Sequence, residues 1–591
     1  MKKITILVSE KDREKFVSRL RKEGLLHVKH VQSPAHHEIT FIEDKISVIN
    51  KMINQLRPYY DPKLPDRRNP QREREHINAA GATTEECRGK RELESGLKKI
   101  KKQMQWYDVW GKFSPEDLEK IKEAGLNVKI YVITTHQYKD LDPGENYRII
   151  KKEKGYVYLA LISKDPEEGL PVKEETVPDK SYRQLEEAAK ETQKRIDAAA
   201  DGLRNRARSF QQLKNTLAKL QKELEFQNVK FGMKEEGRFS YIQGFCPEKK
   251  LPRIISLAKK LKSGYLVEDP DDPDETPTLI TNPKWIKIIN PVFQFMNTLP
   301  GYKEFDISFP FLAFFSLFFA MLIGDAGYGV LFLVGTFIAR QRLKKLPWEP
   351  FFLMYLLSIG TIVWGAITGT WFGAEKIQEL PFLHALVIPN LSSFSDTNQD
   401  FIIHLCFIIG AVQLTLAHIM KAARVINSLK ALSDVGWIMI IWGMFFTAGT
   451  LIAGKHFPSL AVWLFAVGLV LTLFFSNPEK GILKGIPVTL VNLPLSVIGS
   501  FSDIVSYIRL FAVGMATVIV AESFNNMALA GGINSILSGL IAALILFFGH
   551  MLNIILGFMA VIVHGVRLNM LEFSGHLGME WSGKKYKPFG G

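Results

Sequence analysis

The stretch "SFSDIVSYIRLFAVGMATVIV", residues 500–520, decides the fold. It reads as membrane from end to end, yet Arg509 sits inside it. An arginine at the centre of a bilayer helix costs roughly 2.5–3.5 kcal/mol even on a lenient insertion scale. The cation must therefore be compensated, used, or close to an interface.

Working outward, the chain of 591 residues is long enough for several domains, and its 47% hydrophobic content hides two unlike halves. Residues 1 to about 300 are rich in Lys, Glu and Arg, while 307–577 are mostly apolar, with runs such as "FPFLAFFSLFFAMLIG" and "LAVWLFAVGLVLTLFF". The net charge of +14 fits solubility and positive-inside anchoring. No compact basic patch with interleaved aromatics points to nucleic acid, so no nucleic-acid partner is expected. Cys87, Cys246 and Cys406 are far apart, show no metal spacing, and are odd in number, against a disulfide framework. "MKKITILVSEKDREKF" carries no apolar stretch long enough for a signal peptide, so the first half is expected in the cytoplasm.

In that half, "KKITILV", "LLHVKHV", "RFSYIQGFCP" and "GYLVE" read as strands, with "EKDREKFVSRLRKEG" and "KKLPRIISLAKKL" as helices. Together they form one expected α/β lobe, at 1–38 and 236–267. Between them, Ile42, Ile46, Ile49, Ile53 and Leu56 step by heptad spacing, as do Phe210, Leu213, Leu217, Leu220 and Leu224. A chain that goes out must return, which predicts an antiparallel coiled-coil arm over 39–112 and 180–235. "NVKIYVITT" and "GYVYLALIS" predict a distal α/β lobe at 113–179. The acidic, proline-rich "DPDDPDETPT" opens a linker, 268–306, into a membrane domain at 307–591.

The clearest spans are 350–372, 401–422, 434–453 and 459–476, then two longer segments at 487–528 and 535–575. Placing "RQRLKK", "KAARVINSLK", "PEKGILK" and "GKKYK" inside makes these segments alternate. Residues 309–339 are expected to be a hairpin of two short arms, with Gly324, Asp325, Gly327 and Gly329 of "GDAGYG" forming the turn. The expectation is thus α/β lobes joined by an antiparallel coiled-coil arm, plus an all-α membrane domain. That domain has about eight transmembrane helices, the last two long and tilted, with both termini cytoplasmic.

"TPTLITNPKWIKIINPVFQFMNTLPGYKEFDISFPFLAFFSLFFAMLIGDAGYG", "SYIRLFAVGMA" and "HGVRLNMLEFSGHLGMEWSGKKYKPF" resemble the membrane-embedded a subunit of V-type and A-type rotary ATPases, called subunit I in bacteria and archaea. "YIQGFCPEKKLPRI" extends the likeness into the first half. The resemblance implies a multi-pass stator of a prokaryotic plasma membrane. Its implied partners are a rotating c/K-type proteolipid ring of carboxylate-bearing subunits, peripheral stalks of E and G type subunits, and a central-stalk adaptor of d or C type. The implied cargo is H⁺ or Na⁺, moved through two half-channels. No cofactor or metal is implied.

On this resemblance Arg509 faces a ring carboxylate, and Arg567 matches the family's second membrane arginine. A guanidinium stays charged in a protein, so it favours ion release from the passing carboxylate and blocks a direct leak. The bland alternative for each arginine is snorkelling to an interface. Under the eight-span topology Asp503, Ser506 and Tyr507, with Glu572 and His576, fall on the cytoplasmic side of the arginines. Glu522, Asn525, Asn526, His550 and Asn553 fall on the outer side. His564 is a further ionisable candidate, and Asp325 fits a turn as well as a conducting role. The chain departs from the eukaryotic pattern at Thr517, often histidine there, and at Gly557, often glutamate, leaving Thr517 and Glu522 as nearest substitutes for the outer path.

"GMEWSGKK", residues 578–585, lacks the Ser/Thr of a phosphate loop and neither follows a strand nor opens a helix. With no nucleophile–base constellation elsewhere, the chain reads as non-catalytic. A stand-alone secondary transporter and a non-conducting tether are the other classes. The former predicts inverted repeats, of which the sequence shows none.

Overall fold

The computed structural model describes residues 1–590 except 63, 65–72, 141–145, 154, 395–398, 477–481, 531 and 533–534. Much of the basic stretch at 478–484 therefore lies outside the described residues. The chain divides into two compact units, one of Ile4–Gly244, Lys250–Val267 and Pro588–Gly591, the other of Met1–Lys3, Phe245–Lys249 and Glu268–Lys587.

The first unit carries a sheet in the order His27–Lys29, Phe239–Cys246, Lys2–Ser9, Gly264–Glu268, with Lys234–Glu236 paired antiparallel to Phe239–Cys246. Segments some two hundred residues apart thus meet side by side. Alternation explains it: Ile4, Ile6 and Val8 turn inward, as do Ser240 and Ile242 on the neighbouring strand. Helix Arg13–Glu23 buries Phe16, Val17 and Leu20 and stops at Gly24, whose φ of 60° closes a left-handed cap. A second, antiparallel sheet runs Asn127–Thr134, Tyr156–Ser163, Tyr147–Glu153. Between the sheets, helices His37–Leu56 and Glu73–Trp110 run out, and Tyr182–Ala207 and Phe210–Phe231 run back. Their contacts are antiparallel: Tyr107 Oη donates to Lys180 O at 2.8 Å, while Arg206 Nε donates to Glu86 at 2.8 Å. Ile42, Ile49 and Leu56 pack with Phe210, Leu213 and Leu220 in one buried cluster.

Among the described residues of the second unit five helices are long and apolar enough to cross a membrane: Glu349–Thr368, Gln399–Arg424, Lys430–Ile452, Thr489–Leu529 and Ile536–Leu577. A sixth is reached if Ser308–Ile323 and Ala326–Arg342, bent by 120°, count as one; Ser459–Phe475 is apolar but shorter, at 17 residues. The segments of 41 and 42 residues would each extend about 60 Å, twice a hydrocarbon core, so they tilt or project beyond it.

The break after Ile323 corrects the expected turn in one respect. Gly324 alone occupies it, with φ at 67°, and Asp325 caps the next helix by accepting from Tyr328 N at 3.1 Å. Gly327 and Gly329 lie inside that helix. A Cβ on Gly327 would meet the Phe372 ring at 2.5 Å, and one on Gly329 would meet Ile362 Cγ1 at 2.8 Å. Close packing, not backbone freedom, requires those two glycines.

Ser308–Ile323 contributes to a large buried cluster, where Phe311, Phe318 and Leu322 pack with Tyr507, Leu510, Leu568 and Phe573. The tail then returns to the linker: Lys584–Lys585 pairs parallel with Pro277–Thr278, and Gly583 N donates to Leu299 O at 3.1 Å. "GMEWSGKK" is thus a strap tied down by its backbone rather than an open phosphate loop. Burial pushes the Tyr586 phenol up to about 12.

Candidate functional site

Two polar clusters interrupt the apolar unit. The first gathers at the arginines. Arg509 opens helix Ile508–Leu529, just past a break at Tyr507. Arg567 and Glu572 lie on the last long helix, which contains two π-helical segments, Val561–Gly565 and Leu568–Phe573. In a regular α-helix residues five apart point about 140° away from one another. A π turn closes between i and i+5 and brings both side chains to one face, so Glu572 Oε1 lies 3.6 Å from Arg567 Nε. It also lies 3.0 Å from Arg509 Nη2.

This corrects the picture of Arg509 as a cation waiting only for an external carboxylate. Within this chain Glu572 is the anion for both guanidiniums. The physical reason is desolvation: the Glu572 carboxylate is the deeply buried ion of the three, and without a cation beside it its charge would cost several kcal/mol. With Glu572 ionised the trio keeps a net charge of +1. Arg509 Nε donates to Ser506 O at 3.0 Å, and its Nη1 makes no hydrogen bond among the described residues. The Arg567 side chain is 53% exposed against 3% for Glu572. Among the described residues Glu572 Oε2 and His564 Nδ1 find no hydrogen-bond partner and are buried.

From this cluster a row of titratable groups leads into the bundle. Asp503 Oδ2 lies 3.1 Å from His576 Nε2, His576 Nδ1 lies 3.0 Å from His418 Nε2, and His418 Nδ1 lies 3.1 Å from Asp434 Oδ1. Beside it, Tyr507 Oη donates to Gln413 Oε1 at 2.8 Å and Gln413 Nε2 to Asn569 Oδ1 at 3.0 Å, all buried.

The second cluster is neutral. Tyr328 Oη meets His550 Nδ1 at 2.7 Å, His550 Nε2 meets Asn525 Oδ1 at 3.1 Å, and Asn553 Nδ2 donates to Tyr328 Oη at 3.1 Å and Thr517 O at 2.7 Å. Asn525 Nδ2 donates to Phe372 O at 2.7 Å. The Asp325 carboxylate also accepts from Phe372 N and Gly373 N, each at 2.9 Å, fixing the 370–373 loop to the helix cap. Arg509 and Asn525 share a helix sixteen residues apart, about 24 Å along its axis.

Of the residues singled out from sequence, Arg509, Arg567, Glu572, Asp503, His576 and Ser506 converge at the first cluster. Ser506 contributes its carbonyl there; its hydroxyl donates to Ser502 O at 2.9 Å. His550, with Asn525 and Asn553, belongs to the second cluster. Thr517 borders it, but its hydroxyl donates to Gly514 O at 2.7 Å and so packs the helix. Glu522 and Asn526 join neither network among the described residues, and the Glu522 carboxylate makes no ion pair there. Sequence reasoning passed over His418, Asp434, Gln413, Tyr328 and Asn569. An ionisable residue inside an apolar helix is functional by default, and "LAHIMK" and "LSDVGW" carried that signal.

Among the described residues one trio, His36, His37 and Glu38, brings metal-type ligand atoms within 4.8 Å of one another. His36 Nδ1 already accepts from Glu38 N at 3.3 Å, which caps a helix in the first unit, far in sequence from either cluster.

No protein-family model matches the sequence. The chain is similar to the V-type ATP synthase subunit I of Borreliella burgdorferi, 35% identical over 505 residues, covering 81% of this chain and 82% of that one. It is similar over its whole length to V-type ATP synthase subunit I 1 of Treponema pallidum, at 28% identity and 99% coverage of that relative. The A-type ATP synthase subunit I of Methanocaldococcus jannaschii is 27% identical over 386 residues, 60% of this chain and 55% of the relative.

Proposed function

Because this chain belongs to the subunit I family of V-type and A-type ATP synthases, we propose that it forms the fixed half of the ion path. It is a membrane-embedded, non-catalytic subunit of the rotary complex and works in association with the other subunits. In the proposal, Arg509 and Arg567 face the carboxylates of a c/K-type ring. Asp503, Ser506, Glu572 and His576 line the half-channel on the arginine side, and Thr517, Glu522, Asn526 and His550 line the other. H⁺ or Na⁺ crosses by riding the ring, coupled to ATP hydrolysis or synthesis elsewhere in the complex. The further parts of the proposal are eight spans, cytoplasmic termini, a coiled-coil dumbbell over 1–267 held by E and G type peripheral stalks, and a d/C-type central-stalk adaptor.

The observation that carries the reading is the Arg509–Glu572–Arg567 trio. At about 4 Å and an effective dielectric near 20, a guanidinium and a carboxylate attract by about 4 kcal/mol, roughly a thousandfold in ion affinity. A ring carboxylate meeting Arg509 is thereby pressed to release its ion. Such an attraction would also trap the ring if nothing opposed it. Glu572 supplies the opposition: a ring carboxylate that engages Arg509 takes it partly from Glu572, so the step is an exchange of partners. The leftover charge of +1 still repels free cations.

The test is Arg509→Ala in the complete complex, reconstituted in phospholipid vesicles. The expected result is an assembled complex whose ATP-driven ion uptake falls at least about a hundredfold. Uptake at the unsubstituted rate would overturn the reading.

A further inference from the structure

We propose that Asp503, His576, His418 and Asp434 form a relay holding one transferable proton, with the arginine cluster at one end and the surface beside Lys421 at the other. The proposal rests on the ion-path reading above and deepens it by naming the ion as H⁺.

The geometry is a row of three contacts at 3.1, 3.0 and 3.1 Å in which each imidazole uses both ring nitrogens. Its ends are unlike its middle. The Asp503 side chain is 34% exposed, while those of His418 and Asp434 are 4% and 6% exposed. Beyond Asp434 Oδ1, Lys421 Nζ stands 3.8 Å away with its side chain 44% exposed. The row therefore starts and finishes near the surface of its unit and is buried between. Trp437 stacks on the His418 ring, with centroids 6.0 Å apart and planes 13° from parallel, holding its orientation.

Counting protons gives the function. A neutral imidazole offers one N–H and one lone pair, and a carboxylate offers only acceptors. Two ionised carboxylates and two neutral imidazoles supply two protons for three contacts, so one contact would set acceptor against acceptor. A third proton satisfies all three. With both carboxylates ionised the row then carries one excess proton, as an imidazolium on His576 or His418. Lys421 at one end, and Arg509 and Glu572 near the other, are the remaining charged groups that bear on it.

Transfer is balanced. The excess proton can sit on Asp503 when His576 and His418 each carry their own proton on Nδ1; it then passes to His576 Nε2 as the proton on His576 Nδ1 passes to His418 Nε2 and that on His418 Nδ1 passes to Asp434. One excess proton has crossed, both rings are left protonated on Nε2, and they must return to the Nδ1 form before the next proton moves in the same direction. Imidazole is suited to this shuttle near neutral pH. The 3.0 Å contact between the two rings, with 3.1 Å contacts to a carboxylate on either side, leaves no room for a sodium ion, which needs its own shell of oxygens.

The experiment has two arms. In the first, the complete complex with His418→Gln is reconstituted in vesicles of neutral phospholipid. Glutamine keeps a hydrogen-bonding amide but cannot pass a proton, so ATP-driven acidification should fall at least about tenfold with the complex assembled. In the second, ¹⁵N spectra of the full-length unsubstituted chain in bilayers count N–H protons on His418 and His576. Three shared between the two rings is the expected result. Two N–H protons, unchanged acidification by His418→Gln, or ATP-driven ²²Na⁺ uptake without acidification would each overturn the relay. None of these outcomes touches the ion-path reading, which fails instead if Arg509→Ala transports normally.

Discussion

The arginine cluster and the Tyr328–His550 cluster both place polar groups among apolar helices, and they settle the cost in opposite ways. At the arginines, charge is kept: two guanidiniums share one carboxylate, a net +1 remains, and Glu572 Oε2 and His564 Nδ1 lack partners among the described residues. Around His550 the partners are a hydroxyl and amides and each ring nitrogen is taken, although Asn553 Oδ1 is unmet among the described residues. A buried polar group is stable when its partners are complete. A site that must exchange partners with something outside the chain needs atoms that are incompletely held. On the proposed reading the first is the place that acts on passing charge, while at the second the hydrogen bonds of Tyr328 and Asn553 hold three helices in register around His550.

The comparison can be broken by subtraction, beginning with the largest expected effect on folding. Glu572→Gln takes the anion from Arg509 and from the half-exposed Arg567 and should cost about 2–3 kcal/mol. Thermal unfolding of the purified chain in lipid would read it, and an unchanged midpoint would show that the arginines are stabilised from elsewhere. Asp325→Asn keeps one acceptor oxygen where two now serve Tyr328, Phe372 and Gly373. The amide faces a backbone N–H instead, for a cost of about 2 kcal/mol, with raised hydrogen exchange at residues 370–373. Tyr328→Phe strips His550 Nδ1 and Asn553 Nδ2 of one shared partner and should cost about 1–2 kcal/mol. Ser506→Ala, at the charged end, removes only a hydroxyl bonded within its own helix and should stay within about 0.5 kcal/mol. If Ser506→Ala proved as costly as Tyr328→Phe, the division between charge-held and hydrogen-bond-held ends would fail.

Much of this was legible in the chain. Apolar runs marked the long apolar helices, an arginine inside one of them marked the charged cluster, and "GDAGYG" marked the break at Gly324. Strand alternation in "KKITILV" and "RFSYIQGFCP" foretold two segments of one sheet. What stayed hidden depended on irregular backbone or distant pairing. Glu572 meets Arg567 because the helix relaxes into π turns there, and no 3.6-residue period announces that. Its meeting with Arg509 spans 63 positions. Gly327 and Gly329 looked like turn glycines because their neighbours, Phe372 and Ile362, are remote in sequence. His418 and Asp434 were readable as ionisable residues in apolar helices, but they meet each other across 16 positions and His418 meets His576 across 158.

The most direct test sets the two clusters against each other in one assay. Complexes carrying Arg509→Ala or Tyr328→Phe, matched for assembly, are compared for ATP-driven ion uptake into vesicles. The account predicts loss of at least about a hundredfold for Arg509→Ala and, for Tyr328→Phe, a change within about threefold, as its modest cost in stability implies. Equal losses, or a working Arg509→Ala complex, would contradict it.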